Sequence, residues 1–525
     1  MTASRELVRY VLMRVLMAVL LFLTFAAWSM GSAVGSTPDE GYVLTSIWCA
    51  NTPPLKGVDD PARNAPTTAT GRPIFSKDER CRHDLDRPET VWVPWRVAES
   101  HSCYWELGTI SAKCQKSLTS ELVSTNQVIQ NFAPLYPSRY MKVMNQFIED
   151  DVQQSALKMR LFNSLLASVL IVFALSLNKK LISDLSIALM AVITPVGIYL
   201  LPSVNTSSWA ISGTAVFSLA ILAINPDKLR TKHTALSIVL ALVGLYIANS
   251  SRFETKYQLL VISIFVTLYK FPRIIRPRYS KRVIFRAIIS IFLLLVLLAQ
   301  IPNNPLLDLF GDLSLKKDDS ISLLVTNLVN LPLFVTGFFG SWGLGWFEIL
   351  LPQTAWLLPT AAFVITYAAA ALDSSRRNKL LSVLMITSLL LIIVLYLQKN
   401  FVEIRDTVQP RYFFPLLIGI SFSAAANKKT PFSNAVVSSA GLLTVVANSV
   451  ALRNVIRRYV TGQNLGITES LNSPRDWWWT DKDSGTTLWA PAPETVWLIG
   501  SLAFAMLFAV IIYERKLESA ETSKI

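Results

Sequence analysis

Asp39 and Glu40 form a carboxylate pair just beyond the first long apolar run of this chain, which extends from about Val11 to Met30 and is long enough to cross a bilayer. A carboxylate at the outer mouth of a membrane helix can serve as a general base. Water reaches it from one side and a lipid-borne substrate from the other, and partial burial at the membrane surface moves a carboxyl toward a useful working range. The same segment, Thr37-Pro38-Asp39-Glu40, also reads as a helix start, with Thr37 as N-cap and Pro38 in the first turn. The two readings are compatible, since an N-terminal turn would hold the carboxylates rigidly near backbone N–H groups.

Basic residues at the outer ends of apolar runs are the next candidates: Arg139, Arg252, Lys399, Arg405 and Arg411. A guanidinium there can grip a phosphate bidentately, although any interfacial arginine also snorkels to the headgroup layer. Arg411 is favoured, because Gln409-Pro410-Arg411-Tyr412 enters an apolar run directly; Arg252 is the second choice for a phosphate. Trp477, Trp478 and Trp479 could stack on a sugar ring or form an interfacial aromatic belt, and Trp342 and Trp346 invite the same two readings. Glu348 is either a second acid in a cavity or a solvated loop residue. The sequence contains no GxxxxGK[ST] phosphate loop, no HExxH and no GxSxG. ATP-driven transport by this chain alone and zinc hydrolysis therefore have no support. No metal ligand set is read, and a divalent metal is compatible with the chemistry without being implied.

These residues must be positioned by membrane helices. The chain has 525 residues, 52% hydrophobic and only 16% charged, too little charge to cover a soluble protein of this length. Apolar runs begin near Val11, Leu161, Leu181, Ser208, Thr234, Tyr257, Val283, Gln353, Leu380, Tyr412, Ala435 and Val496, which predicts about twelve helices of the ~20 residues a bilayer requires. The formal charge of +14 lies mostly in short loops between these runs, where it sets topology, so nucleic acid is not expected as a partner. Lys179-Lys180, Lys228 to Lys232, Lys270 to Arg282, Arg376-Arg377, Lys428-Lys429 and Arg515-Lys516 mark alternate exits and place both termini in the cytoplasm. The first run is longer than a signal core and is taken as a retained anchor in the plasma (inner) membrane.

The expected fold is thus an all-α polytopic membrane protein with a disulfide-stapled extracytoplasmic loop domain. Residues 1–32 form the first span and 33–158 the large outer domain. Residues 159–301 hold spans two to seven and 302–352 an outer irregular segment. Residues 353–451 hold spans eight to eleven, 452–494 a Trp-rich outer loop, and 495–525 the last span and tail. All four cysteines, Cys49, Cys81, Cys103 and Cys114, fall in the outer domain. Three pairings are open to them; Cys49–Cys81 with Cys103–Cys114 is favoured because it staples two local loops, and zinc is the rival. In 302–352 the run Ile321 to Phe339 contains Pro332 and is bounded by Gly337 and Gly340, which reads as a re-entrant or surface-lying segment or as two short helices.

Several segments together resemble one bacterial multi-pass membrane family, common in actinobacteria and known as domain of unknown function twenty-one forty-two. They are Thr37-Pro38-Asp39-Glu40, Asp150-Asp151-Val152, Met159-Arg160-Leu161-Phe162-Asn163, Phe339-Gly340-Ser341-Trp342-Gly343 through Leu351-Pro352, Gln409-Pro410-Arg411-Tyr412-Phe413-Phe414-Pro415, Arg458-Tyr459-Val460 and the Trp477–Trp479 run. That family looks like a relative of the GT-C membrane glycosyltransferases. The resemblance implies a polyprenyl-phosphate sugar donor, a cell-envelope glycan or glycoconjugate acceptor, and inverting transfer on the extracytoplasmic side. It maps the base to Asp39 and the second acidic position to Glu40. The chain departs from the family pattern at Val43, where a histidine is usual, and at Pro410, where a glycine is usual. The residues also allow a flippase or transporter for a lipid-linked or polar solute, or a non-catalytic membrane scaffold. Few ionisable residues lie within the runs, Asp184 being one, which disfavours ion coupling.

Overall fold

The computed structural model describes residues 2–52, 67, 79–84, 86–87, 89–118, 121–126, 128, 137–225, 230–270, 319–462, 470–471, 477–479 and 491–522. Helices dominate it. Among the described residues eight are long and apolar enough to cross a membrane: Glu6–Gly31, Val152–Ser176, Thr206–Ala223, Lys232–Asn249, Gln353–Leu372, Arg376–Lys399, Asn434–Val460 and Pro493–Glu518. The chain is a polytopic helical membrane protein. Leu165, Val169 and Phe173 on one helix, and Leu498, Leu502 and Met506 on the last, are exposed at a spacing of one helical turn. Such stripes suit hydrocarbon and would be costly in water.

The remaining expected spans differ in kind. The run from Leu181 forms Ile182–Ile193, breaks at Thr194–Pro195 and resumes as Val196–Leu200. The run from Tyr257 lies in Thr255–Lys270, and that from Tyr412 becomes Phe414–Asn427. The last has 14 residues, about 21 Å of helix against the ~30 Å of a hydrocarbon core. Every residue of Ile182–Ile193 and of Phe414–Asn427 is buried, so these two helices fill the interior of the bundle and do not face lipid. Their composition matches a span because a buried helix and a lipid-facing one need the same apolar side chains. The run from Val283 lies outside the described residues.

Capping explains the other shifts. The Asp151 carboxylate accepts a hydrogen bond from the Gln154 N–H at 2.7 Å, so the second long helix starts at Val152, ahead of the apolar run at Leu161. Asp319–Gly337 is one helix that carries Pro332 within it, so the proline does not divide it. From Phe338 to Pro352 the chain is non-helical, tied by a bridge between Leu344 and Ile349. The first and last helices pack closely side by side, with Ala27 against Gly500 and Arg14 paired with Glu514.

The disulfide-bonded domain contains a small antiparallel sheet of β1 (Arg82–His83), β2 (Val91–Pro94) and β3 (Leu122–Thr125), in that order, with Val91 opposite Thr125 and Val93 opposite Val123. Both disulfides have the sequential pairing, Cys49–Cys81 and Cys103–Cys114, which disposes of the zinc alternative for these thiols. The first ties the end of helix Glu40–Trp48 to β1, and this helix packs on the short helices Trp95–Ala98 and Ser138–Asn145.

Candidate active site

The loop from Ser32 to Pro38 leaves the first helix in a buried, non-helical path, so its carbonyls need partners. Side chains from scattered parts of the chain supply them. Arg160 donates to the carbonyls of Ser32 and Ala33, the latter at 2.6 Å. The Val34 carbonyl accepts from the Tyr104 hydroxyl at 2.8 Å and from Gln115 Nε2 at 2.7 Å. Trp346 Nε1 donates to Gly35 at 3.1 Å, and the Tyr199 hydroxyl to Ser36 at 2.9 Å. Pro38 receives Arg411 Nη1 at 3.0 Å and the Asn205 amide. A side chain at Gly345 would bring its Cβ to 2.9 Å from the Ser36 carbonyl, so the 338–352 segment closes on the loop only with glycine there.

This clamp fixes the two carboxylates in opposite settings. Glu40 is fully buried. Its Oε1 pairs with Arg160 Nη2 at 2.7 Å, and its Oε2 accepts from the Thr37 N–H and hydroxyl, both at 2.9 Å. Both oxygens are thus occupied, and no acceptor hydroxyl can reach them. The helix begins at Glu40 with Asp39, not Thr37, in the N-cap position. Asp39 makes no capping bond and holds the left-handed conformation, φ 64°, which aspartate tolerates better than most residues. Its Oδ2 lies 2.6 Å from Arg411 Nη2. The Asp39 side chain keeps 28% of its surface exposed while Arg411 keeps 4%.

Arg411 therefore joins the acidic loop to a small cleft of about 40 Å³, open to solvent. Apolar walls from Val196, Leu200, Trp342, Leu344, Phe347 and Pro410 surround it, with Arg411, Gln409 and Tyr199 as polar lining. The guanidiniums of Arg411 and Arg252 both lie over the Tyr412 ring, 5.1 and 4.6 Å from its centroid. Arg252 is held by Glu254 at 2.5 Å. The two arginines expected at a phosphate are thus brought together around one aromatic ring.

The other candidates are distributed differently. Trp342 lines the cleft and donates Nε1 to the Leu333 carbonyl at 2.9 Å. Glu348 accepts from Arg458 at 2.7 Å and from the Tyr459 hydroxyl at 2.8 Å. Burial raises its carboxyl above the ordinary value, opposed by the Arg458 charge and these hydrogen bonds. Trp477, Trp478 and Trp479 are all buried. Trp477 stacks on Trp479, and Trp478 donates to the Met30 carbonyl at 3.2 Å and lies under Arg160. Their faces are used in packing, so they offer no open platform to a sugar. Exposed tryptophans are instead Trp95, 42% exposed, and Trp105, 37% exposed, the latter adjoining Trp346 and His101. Trp105 carried no sequence signal beyond its residue type. Arg160 did carry one, since an arginine entering an apolar run must find an acid. Among the described residues no group of His, Cys, Asp and Glu could hold a metal ion.

A family model described as "Predicted membrane protein (DUF2142)" matches residues 20–420. The chain belongs to this family. Neither a curated protein nor a solved structure matches it. The part matched to DUF2142 contains Asp39, Glu40, Arg160, Arg252, Glu348 and Arg411, whereas Arg458, Tyr459 and the buried tryptophans lie beyond it.

Proposed function

We propose that the protein is a GT-C-like glycosyltransferase of the plasma membrane. It would transfer a sugar from a polyprenyl-phosphate donor to a cell-envelope acceptor on the extracytoplasmic side, with both termini in the cytoplasm. The observation that carries this reading is the contact between Asp39 and Arg411 at the edge of the cleft: a partly exposed carboxylate on an immobilised loop, bonded to a buried guanidinium. A single cation in an apolar wall suits an amphiphile with one phosphate and a hydrocarbon tail, because the head gains a charge-assisted bond and the tail loses nothing.

The chemistry is one displacement. Asp39 takes the proton of the acceptor hydroxyl while that oxygen attacks the anomeric carbon. The bond from that carbon to the phosphate oxygen breaks, and the lipid phosphate leaves with the electron pair, its charge met by Arg411 with Arg252 behind it. Attack opposite the leaving group inverts the anomeric centre. A phosphate is already a good leaving group, so no strong acid is needed on that side. Glu40 serves this step by holding the loop through Arg160. Trp342 forms part of the donor's apolar wall, and Trp105 and Trp346 offer faces to the sugars.

The test is an assay of purified protein in liposomes with a radiolabelled polyprenyl-phosphate sugar and isolated envelope glycan. Label appearing in the glycan supports the transferase. Movement of the lipid between leaflets without transfer would replace it by a flippase, and neither activity would leave a scaffold.

A further inference from the structure

A second opening lies at the other end of the bundle. Arg14 pairs with Glu514. It lies seventeen residues, about 25 Å of helix, before the end of the first helix that leads to the acidic loop. Next to Glu514 in the chain, between helix Asn434–Val460 and the last helix, is a groove of about 350 Å³ lined by Asn434, Val437, Ser438, Ile512, Arg515 and Lys516. Its origin is visible in the packing. At Gly441 the two helices meet so closely that an added Cβ would lie 1.9 Å from the Phe508 ring. One turn further along, Val437, Ser438 and Ile512 line the groove, which therefore lies on the helix-end side of the Gly441–Phe508 contact.

The lining combines apolar Val437 and Ile512 with polar Asn434, Ser438, Arg515 and Lys516. Arg515 is fixed in place: its Nη1 lies 3.2 Å from Asp184 Oδ1 and its Nε 3.2 Å from Asn434 Oδ1. Asp184 also pairs with buried Lys428, and Glu518, which accepts from Ser183, lies near Arg515 as well, so the charge of Arg515 is shared with two carboxylates. Lys516 is exposed on the rim. Along the same two helices, toward the bundle middle, Leu442, Val446, Leu502 and Met506 are exposed apolar residues.

We infer that this groove binds the headgroup of an anionic phospholipid. The phosphate would sit between Arg515 and Lys516, the glycerol hydroxyls against Asn434 and Ser438, and the acyl chains along the exposed apolar lanes. Cations at a helix-helix seam, just where apolar lanes give way to polar ends, match a lipid that is charged at its head and apolar below. A soluble anion would use the cations alone and gain nothing from the lanes. This inference does not depend on the glycosyltransferase reading.

The experiment is native mass spectrometry of detergent-purified full-length protein titrated with phosphatidylglycerol, phosphatidylcholine or inorganic phosphate. The site predicts preferential retention of phosphatidylglycerol, reduced about fivefold by Lys516→Gln, the effect of one charge at a membrane surface. Ser438→Trp, which fills the groove while leaving every cation in place, should lower retention as well. Neither position is buried, so both variants should fold, and an unchanged melting temperature checks this. Equal retention of the two lipids, or phosphatidylglycerol retention untouched by both variants, would overturn the inference. So would inorganic phosphate displacing the lipid at millimolar concentration, which would make the ligand a free anion.

Discussion

Arg411 bonds the Pro38 carbonyl with one nitrogen and the Asp39 carboxylate with the other, so one guanidinium orients the proposed base and faces the cleft. Lysine has three donors but on a single nitrogen, so it cannot span the two acceptors with the separate nitrogens of a rigid fork. Arg411→Ala should lower kcat/KM for the lipid-linked sugar by about 10²–10³, the cost of one electrostatic donor at a reacting centre, and Arg411→Lys should fall between it and the parent. Steady-state kinetics with varied donor measures this. Glu40 and Arg160 test a different proposition. Removing either partner strands a buried charge, so Glu40→Gln or Arg160→Met should cost about 3–5 kcal/mol, while the double replacement should cost less than the two together. Thermal unfolding in detergent reads both. The Asp39–Arg411 pair was half legible in the sequence: each residue stood out by its place at the mouth of an apolar run, but nothing in the chain joined positions 372 apart. The burial of Glu40 was not legible, because adjacent carboxylates look alike until the loop's backbone turns one inward.

The disulfide-bonded domain holds the acidic loop through Tyr104, Gln115 and the residues around His101, all of which lie between β2 and β3 in the chain. His101 is pushed below its ordinary value of 6.5 by burial, with Trp105 and Trp346 against its ring. A histidine whose folded value is depressed contributes fully above 6.5, and its contribution is lost as pH falls below 6.5 toward the lower folded value, because unfolding then takes up a proton. The domain should therefore loosen on acidification below pH 6.5, and His101→Gln should flatten that dependence, as read by tryptophan fluorescence melts across the range. The disulfide pairing could be read from the sequence because neighbouring cysteines close short loops. The buried helices Ile182–Ile193 and Phe414–Asn427 could not be told from spans, because composition reports an apolar setting without saying whether protein or lipid supplies it. The tryptophans at 477 to 479 misled for the same reason, since an indole packs as well against a helix as against a sugar.

Across the whole molecule the two ends divide the work. The disulfides, the acidic loop and the cleft lie at one end, and the ion pairs of Arg14, Asp184, Lys428 and Arg515 at the other. Disulfides belong on the oxidising side, which argues for an extracytoplasmic cleft without reference to loop charge, and the basic loops argue for the same orientation. A membrane-impermeant maleimide should label Trp95→Cys in intact cells and Lys516→Cys only after the membrane is opened; the reverse pattern would put the cleft in the cytoplasm. The most direct measurement is sugar transfer by purified Asp39→Asn protein. Asparagine keeps the size of the side chain and a hydrogen bond to Pro38 remains for Arg411, so the variant should fold, retain donor and transfer about 10²–10⁴-fold more slowly, the range for loss of a general base. Transfer at the parental rate would show that the proton leaves by another route and that residue 39 is not the base.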